Sequence, residues 1–252
     1  MDRSSVAESF DTWARIDPFW AICGGRDKKN GGWEQREFFE SGVVKIDEVV
    51  AVIDQHGFPL RRINALDFGC GAGRLTQALA PRFSHVVGVD ASPAMLELAE
   101  RFNRYPEKCR YALNVGATLQ NYQSDSFDFV ISIVVLQHLE AGDSTRFIRE
   151  LVRILGKGGM LVFQMIGGKV SAEEQSLISQ EERASWKTID GPAIEMHPVP
   201  REEVIRHVED SGGSLLKVIE NRSGGPLFVS YDYYVTKPSA PDVTRPHTDE
   251  AP

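Results

Sequence analysis

The rhythm of apolar and polar positions changes once along this chain. Up to about residue 60, apolar residues recur at threes and fours. Val6, Phe10, Trp13, Ile16 and Trp20 predict a short amphipathic helix over 6–22. Phe38, Phe39, Val43, Ile46, Val49, Val50 and Ile53 form a broad stripe on a second helix over 33–56, which Pro59 ends. Between them GGRDKKNGG (24–32) is glycine-rich and charged, the composition of a flexible loop. From Ile63 short apolar runs alternate with helical patterns. INALDF (63–68), HVVGVD (85–90), RYALNV (110–115), FDFVISIV (127–134) and GMLVFQMI (159–166) read as strands. Residues 73–83, 92–102 and 143–155 read as helices, the second opened by Ser92 as cap with Pro93 behind it. A helix over 201–213 stops at glycine, and LLKVIEN (215–221) and LFVSYDYYV (227–235) are two strands joined by an RSGG turn.

Strand–helix alternation with near-continuous apolar strands means a parallel sheet covered on both faces. The expected fold is α/β, a doubly wound Rossmann-like, mostly parallel seven-stranded sheet with a C-terminal antiparallel hairpin and a helical N-terminal cap. The expected organisation is a cap over 1–60 and a core over 61–237 with an insertion at 167–200. A Pro- and charge-rich tail over 238–252 reads as disordered. The insertion carries Trp186, Glu195, Met196 and His197. It follows the fifth strand, so it can reach over a ligand at the carboxyl ends of the strands.

Composition narrows the partners. An apolar content of 42% in 252 residues is enough for a sizeable core. The net charge of −8 disfavours tracking a nucleic-acid backbone or an anionic membrane. There is no apolar run of roughly 18 residues, and the polar start MDRSSVAESF lacks the apolar core of a secretory signal. Cys23, Cys70 and Cys109 are widely spaced and form no CxxC pair, which argues against a disulfide framework and a structural zinc site. A cytoplasmic setting and a small-molecule partner are expected, and the oligomeric state stays open.

The chemistry concentrates in LDFGCGAGRL (66–75). Gly69, Gly71 and Gly73 lie where the first strand turns into its helix, so the backbone can press against a ligand over the helix N-terminus. Asp90 ends the second strand, 23 residues after Asp67, where an acid accepts hydrogen bonds from ribose hydroxyls. A nicotinamide dinucleotide fingerprint would need glycine at Arg74, and the Asp67 carboxylate would repel a pyrophosphate but suit an ammonium group. A cofactor with adenine, ribose and a free amino acid end is S-adenosylmethionine.

Four ordered motifs carry a family resemblance: ALDFGCGAGRLTQALA (65–80), VVGVDASPAMLELA (86–99), SFDFVISIVVLQHL (126–139) and RELVRILGKGGMLVFQ (149–164). The chain resembles the class I S-adenosylmethionine-dependent methyltransferase family, on its small-molecule branch. The resemblance implies that Gly69, Cys70 and Gly71 approach the methionine end and that Asp67 orders the amine. Asp90 would hold the ribose, and Ala91 and Met95 would flank the adenosine. The family often has an acid before the fourth strand at the adenine amine. Gly116 stands there, and Ala117 or Thr118 would substitute. Ile133 and Val134 would line the pocket beside the sulfonium.

His138, at the start of a helix after the fourth strand, is a general base and cofactor neighbour or a packing residue. His197, near Glu195, is catalytic or a helix-entering contact. Trp33 with Arg36 either closes over cofactor or packs the cap. Tyr231, Tyr233 and Tyr234 either touch substrate or fill the core. No Asn/Asp-Pro-Pro-aromatic motif follows the fourth strand, no Cys beside a Pro, and no acidic metal-ligand set. These absences leave metal-independent O- or N-methylation of a small molecule as the best reading. Two alternatives stay open: a non-catalytic S-adenosylmethionine-binding or partner protein, and an NAD-dependent oxidoreductase.

Overall fold

The computed structural model describes residues 3–178 and 191–238, with side chains from residue 6 onward apart from residue 26. Trp186 and all but the first residue of the predicted tail lie outside the described residues.

The cap consists of α1 (Arg3–Ile16), α2 (Pro18–Cys23) and α3 (Gln35–Gln55). The single helix expected over 6–22 is two helices. Pro18 has no N–H to continue a helix and restricts the residue before it. Asp17 leaves the helical region (φ −157°) and caps α2 by accepting the Trp20 N–H. The glycine loop is held by indoles: Trp20 Nε1 donates to Gly25 O and Trp33 Nε1 to Gly24 O, each at 2.9 Å.

The core runs β1 (Asn64–Phe68), α4 (Arg74–Leu79), β2 (His85–Asp90), α5 (Pro93–Arg101), β3 (Cys109–Leu113) and β4 (Phe127–Ser132). It continues with α6 (Ala141–Ile154), β5 (Leu155–Lys169), α7 (Ala172–Leu177), α8 (Arg201–Asp210), β6 (Ser214–Asn221) and β7 (Phe228–Thr236). The seven-stranded sheet has the order β3-β2-β1-β4-β5-β7-β6. The first five strands are parallel, and β7 runs antiparallel between β5 and β6. The strand order reverses between β1 and β4, the place where such sheets open a crevice.

The sheet buries both faces, as its uninterrupted apolar strands require. On one face Leu66, Val130 and Leu161 meet Phe147 and Leu151 of α6 and Val204 and Val208 of α8. On the other, Ala65, Phe129 and Val162 meet Ile46, Val49 and Ile53 of α3 with Leu75 and Leu79 of α4. Gly42 lets α3 and α4 approach closely, since a Cβ there would stand 2.5 Å from the Arg74 carbonyl oxygen.

The fifth strand is longer than its apolar run. It reaches Lys169 because β7 pairs with it from Met160 to the end, across an irregularity between Ile166 and Gly168. The expected insertion therefore begins as strand and then forms α7, which carries a Ser171–Glu174 capping box.

Candidate active site

The turn after β1 is shaped by what packs on it. Gly69 and Gly71 have φ of +75° and +52°, which L side chains rarely adopt. A Cβ on Gly69 would lie 2.4 Å from the Val135 methyls, and one on Gly71 would lie 2.8 Å from Ile22 Cδ1. Gly69 and Cys70 donate their N–H groups to the Val89 carbonyl at 2.7 and 3.0 Å, clamping the turn to the end of β2. Asp90 is fixed at that same end. Its Oδ2 accepts the Gly71 N–H at 2.8 Å and its Oδ1 the Ser92 N–H at 2.9 Å. A carboxylate has about four lone-pair sites, so capacity remains for a ligand hydroxyl. Burial pushes the Asp90 carboxyl up from its ordinary value, against the backbone N–H groups of Ser92, Gly71 and Ala91.

These groups line a narrow cleft, mostly apolar with a few polar groups set into it, the make-up of a small-molecule site. Gly69, Gly71, Asp90, Ala91 and Met95 form one side, with Ile133, Val134 and His138 opposite. Val6, Ala7 and Phe10 of α1 also line it. That helix is tied down where Asp11 accepts the Ser92 hydroxyl at 2.6 Å and the Ala94 N–H at 2.9 Å.

Beyond β4 the chain makes a strained turn. Val134, a β-branched residue, has φ +59°, a conformation that costs of order 1–3 kcal/mol. The buried Gln164 on β5 holds it there by accepting the Val134 N–H at 3.1 Å. Val135 is thereby turned onto Gly69, and a 3₁₀ turn, Leu136–His138, follows. Ser144 of α6 anchors this turn by donating to the Leu136 carbonyl at 2.7 Å.

His138 therefore ends a 3₁₀ turn rather than opening a helix. It is 7% exposed, and its Nδ1 lies 3.0 Å from the Glu195 carbonyl oxygen. A carbonyl only accepts, so Nδ1 carries the proton and Nε2 is the basic atom of the neutral ring. Burial pulls the imidazole below its ordinary 6.5, opposed by the carbonyls of Glu195 and Val134.

A second, outer cavity adjoins the first. The two share Ala21, Ile22, Ile133, Val134 and His138. Trp13, Trp20 and Trp33 line the outer one, as do Arg74, Gln137 and Met196.

Among the expected site residues, Gly69, Gly71, Asp90, Ala91, Met95, Ile133, Val134 and His138 share the inner cleft. Others do not. Asp67 lies beneath the turn, 2% exposed, accepting the Thr76 hydroxyl at 2.7 Å. Burial raises its pKa to about 6. Cys70 is buried in the turn, and burial pushes its thiol up. Ala117 and Thr118 lie outside the cleft lining. Asn114 takes that side, because its N–H donates to the Asp90 carbonyl at 2.8 Å and so brings it next to the acid. Arg36 points away, its side chain 88% exposed and paired with Glu40 at 2.6 Å. Trp33 belongs to the outer cavity. His197 lines neither cavity. Its Nε2 lies 3.5 Å from a Glu195 carboxylate oxygen, and its N–H donates to Gln137 O at 2.7 Å. Tyr231 and Tyr233 pack on one sheet face and Tyr234 on the other.

Sequence reasoning missed Asn114, the α1 residues and Gln137. The register Asp90↔Leu113 would have found Asn114, one residue further on. Nothing local signals the other two.

Residues 66–163 match the methyltransferase domain family. Over 128 residues the chain is 32% identical to ajmaline N-methyltransferase from Rauvolfia serpentina, covering 49% of this chain and 43% of that one. It is 26% identical over 131 residues to a ubiquinone biosynthesis O-methyltransferase from Pelagibacter ubique, covering 52% and 53%. The chain thus spans about half the length of the curated relatives it matches. Magnesium protoporphyrin IX methyltransferase from Synechocystis, solved with bound S-adenosylhomocysteine, has the same fold. Its TM-score is 0.65 at 18% identity, over 94% of this chain and 100% of that one. A cyclase shares the fold too, with a TM-score of 0.64 at 16% identity over 95% and 98%. The matched stretch of this chain, residues 66–163, is thus similar to a methyltransferase domain set in the fold those enzymes share.

Proposed function

We propose that this chain transfers a methyl group from S-adenosylmethionine to a small-molecule acceptor by in-line displacement without a metal ion. The observation that carries this reading is the junction of the two cavities at Ile133, Val134 and His138. The inner cleft suits the cofactor. Asp90 keeps capacity for a ligand hydroxyl, the glycine turn exposes bare backbone, and Ala91, Met95 and Asn114 flank the adenosine space.

Among the described residues of the outer lining, one cation remains for the cofactor's carboxylate. In the outer lining Lys45 is paired with Asp232 at 2.9 Å and Arg222 with Glu174 at 2.8 Å. Arg74 meets only the Ser41 hydroxyl, at 3.4 Å, among the described residues, and its Nε has no partner. Arg74 opens α4 directly after the glycine turn, so we assign it the carboxylate.

When bound, S-adenosylmethionine supplies a methyl group already activated on a sulfonium. The protein's share is alignment and exclusion of water, which supply several kcal/mol of order. His138 Nε2 takes the acceptor's proton where the acceptor atom carries one. Similarity to an N- and an O-methyltransferase of small molecules supports the acceptor class. No helix among the described residues is long and apolar enough to cross a membrane, and we place the protein in the cytoplasm.

The test is parallel calorimetric titration with S-adenosylmethionine, S-adenosylhomocysteine and NAD. Micromolar binding of the two sulfur compounds without NAD is expected. Binding of NAD alone overturns the reading in favour of an oxidoreductase. Cofactor binding with no release of S-adenosylhomocysteine across a panel of phenols and amines points to the non-catalytic alternative.

A further inference from the structure

We infer that the outer cavity takes a flat, largely apolar molecule with a hydrogen-bond donor and acceptor side by side, as in a lactam or a hydroxy-ketone, and that Gln137 reads that edge. The inference rests on the methyl-transfer reading for calling this molecule the acceptor.

The walls are apolar because their polar atoms are spent. Trp13 Nε1 donates to the Pro192 carbonyl at 3.0 Å, and Trp20 and Trp33 donate to Gly25 and Gly24. What these indoles offer a ligand is ring surface, which favours a planar partner. The lining's Lys45 and Arg222 are neutralised by Asp232 and Glu174.

With Arg74 assigned to the cofactor's carboxylate, Gln137 is the exception. It lines the outer cavity and is 0% exposed, yet neither Oε1 nor Nε2 has a hydrogen-bond partner among the described residues. A buried amide left so is a standing cost to the fold, and in a native protein it calls for a reason. Its backbone is fixed from both sides. The Gln137 carbonyl accepts the His197 N–H at 2.7 Å, and Ser144 anchors the turn. The side chain is thus presented by a rigid support next to His138, where the two cavities meet.

A primary amide offers a donor and an acceptor together. A carboxylate would set its oxygens against Oε1, and an ammonium group would oppose Nε2. A neutral group that donates and accepts satisfies both atoms, and the neighbouring His138, held neutral by burial, adds no charge that would favour an anion. Edge recognition of this kind discriminates strongly, because the wrong ligand leaves buried groups unpaired.

The test uses the full chain and three two-ring probes, titrated calorimetrically with saturating S-adenosylhomocysteine. Carbostyril has the lactam edge, N-methylcarbostyril lacks its donor, and naphthoate is an anion. Carbostyril should bind at least ~10-fold more tightly than either control. Gln137→Met should bring the three within about twofold while leaving S-adenosylhomocysteine affinity intact. The variant's Tm should be equal or higher, since an unpartnered amide is removed, whereas a structural Gln137 would give a lower one. Equal affinities in the natural protein, a preference kept by the Met variant, or no binding of any probe overturns the inference. Failure of S-adenosylhomocysteine itself to bind overturns the cofactor reading instead. A carbostyril preference without it leaves the site assignment standing.

Discussion

Asp11 on the first helix accepts the Ser92 hydroxyl at 2.6 Å, across 81 residues of sequence, and so fastens α1 over the cleft that Asp90 lines. The same carboxylate takes the Ala94 N–H, acting as an extra cap on α5. Burial pushes the Asp11 carboxyl up, but the Ser92 hydroxyl, the Ala94 N–H and Arg15 together hold it below its ordinary 3.8. The stabilisation is therefore complete above that value and is lost as pH falls through the lower folded-state pKa. Asp11→Ala should cost about 1–3 kcal/mol of stability and speed release of S-adenosylhomocysteine. Hydrogen exchange in α1 should rise. Unchanged exchange and release would mean that α1 stays closed without the latch.

Asp90→Asn tests the ribose assignment. The amide keeps the size of the carboxylate but places an NH₂ against a backbone donor and removes the charge facing the ligand. S-adenosylmethionine should bind more weakly by about 1–3 kcal/mol. Calorimetry on a variant with native circular dichroism decides it, and an unaltered affinity removes Asp90 from the site.

The part of this site readable from sequence is the part whose residues are local. The glycine turn, Asp90 and Ser92 follow from strand-end spacing, and the sheet follows from alternating patterns. The split at Pro18 was readable too, since Asp17 and Pro18 interrupt the apolar rhythm, but the stripe from Val6 to Trp20 masks it. What stays hidden is decided by contacts across the fold. Asp67 looks like a pocket residue by spacing, yet its side chain turns under the glycines to Thr76. Arg36 looks like part of a lid, yet it faces solvent. Gln137 becomes notable only once every neighbour is known to leave it unpaired.

Val134 sets the shape of the cavity junction through its left-handed backbone. Val134→Gly should relieve about 1–3 kcal/mol of strain, offset in part by lost side-chain burial, so that Tm changes little. The freed turn should hold Val135 and His138 less firmly, and turnover should fall while S-adenosylhomocysteine affinity changes less. A large drop in Tm would show that the Val134 side chain, and not the Gln164 contact, supports the turn.

His138 should serve as a base across neutral pH, because burial lowers its pKa below 6.5. With an acceptor that must lose a proton, kcat/KM should stay level through neutrality and fall only below the ordinary histidine range. His138→Gln should lower the chemical rate about 10²-fold and abolish that acidic limb. The same depression acts on stability. The unfolded chain takes up the proton first, so the fold weakens as pH falls through 6.5. A variant with full rate and an unchanged profile makes His138 a packing residue against Phe10.

Asp67 is a buried carboxylate whose cost to the fold should be measurable. Burial raises its pKa from 3.8 to about 6, so between those values the folded chain keeps a proton that the unfolded chain releases. Stability from this group therefore falls as pH rises from about 4 to about 6, and the cost at neutral pH is of order 3 kcal/mol. Asp67→Asn carries no charge to desolvate, and its carbonyl can still accept the Thr76 hydroxyl. The variant should melt higher than the natural protein at neutral pH, with the difference closing towards pH 4. Because the Asp67 side chain turns away from the cleft to Thr76, S-adenosylmethionine affinity should be the same in Asp67→Asn as in the natural protein. A variant that melts no higher at neutral pH would show that the buried carboxylate carries no such cost, and one that binds S-adenosylmethionine more weakly would return Asp67 to the site.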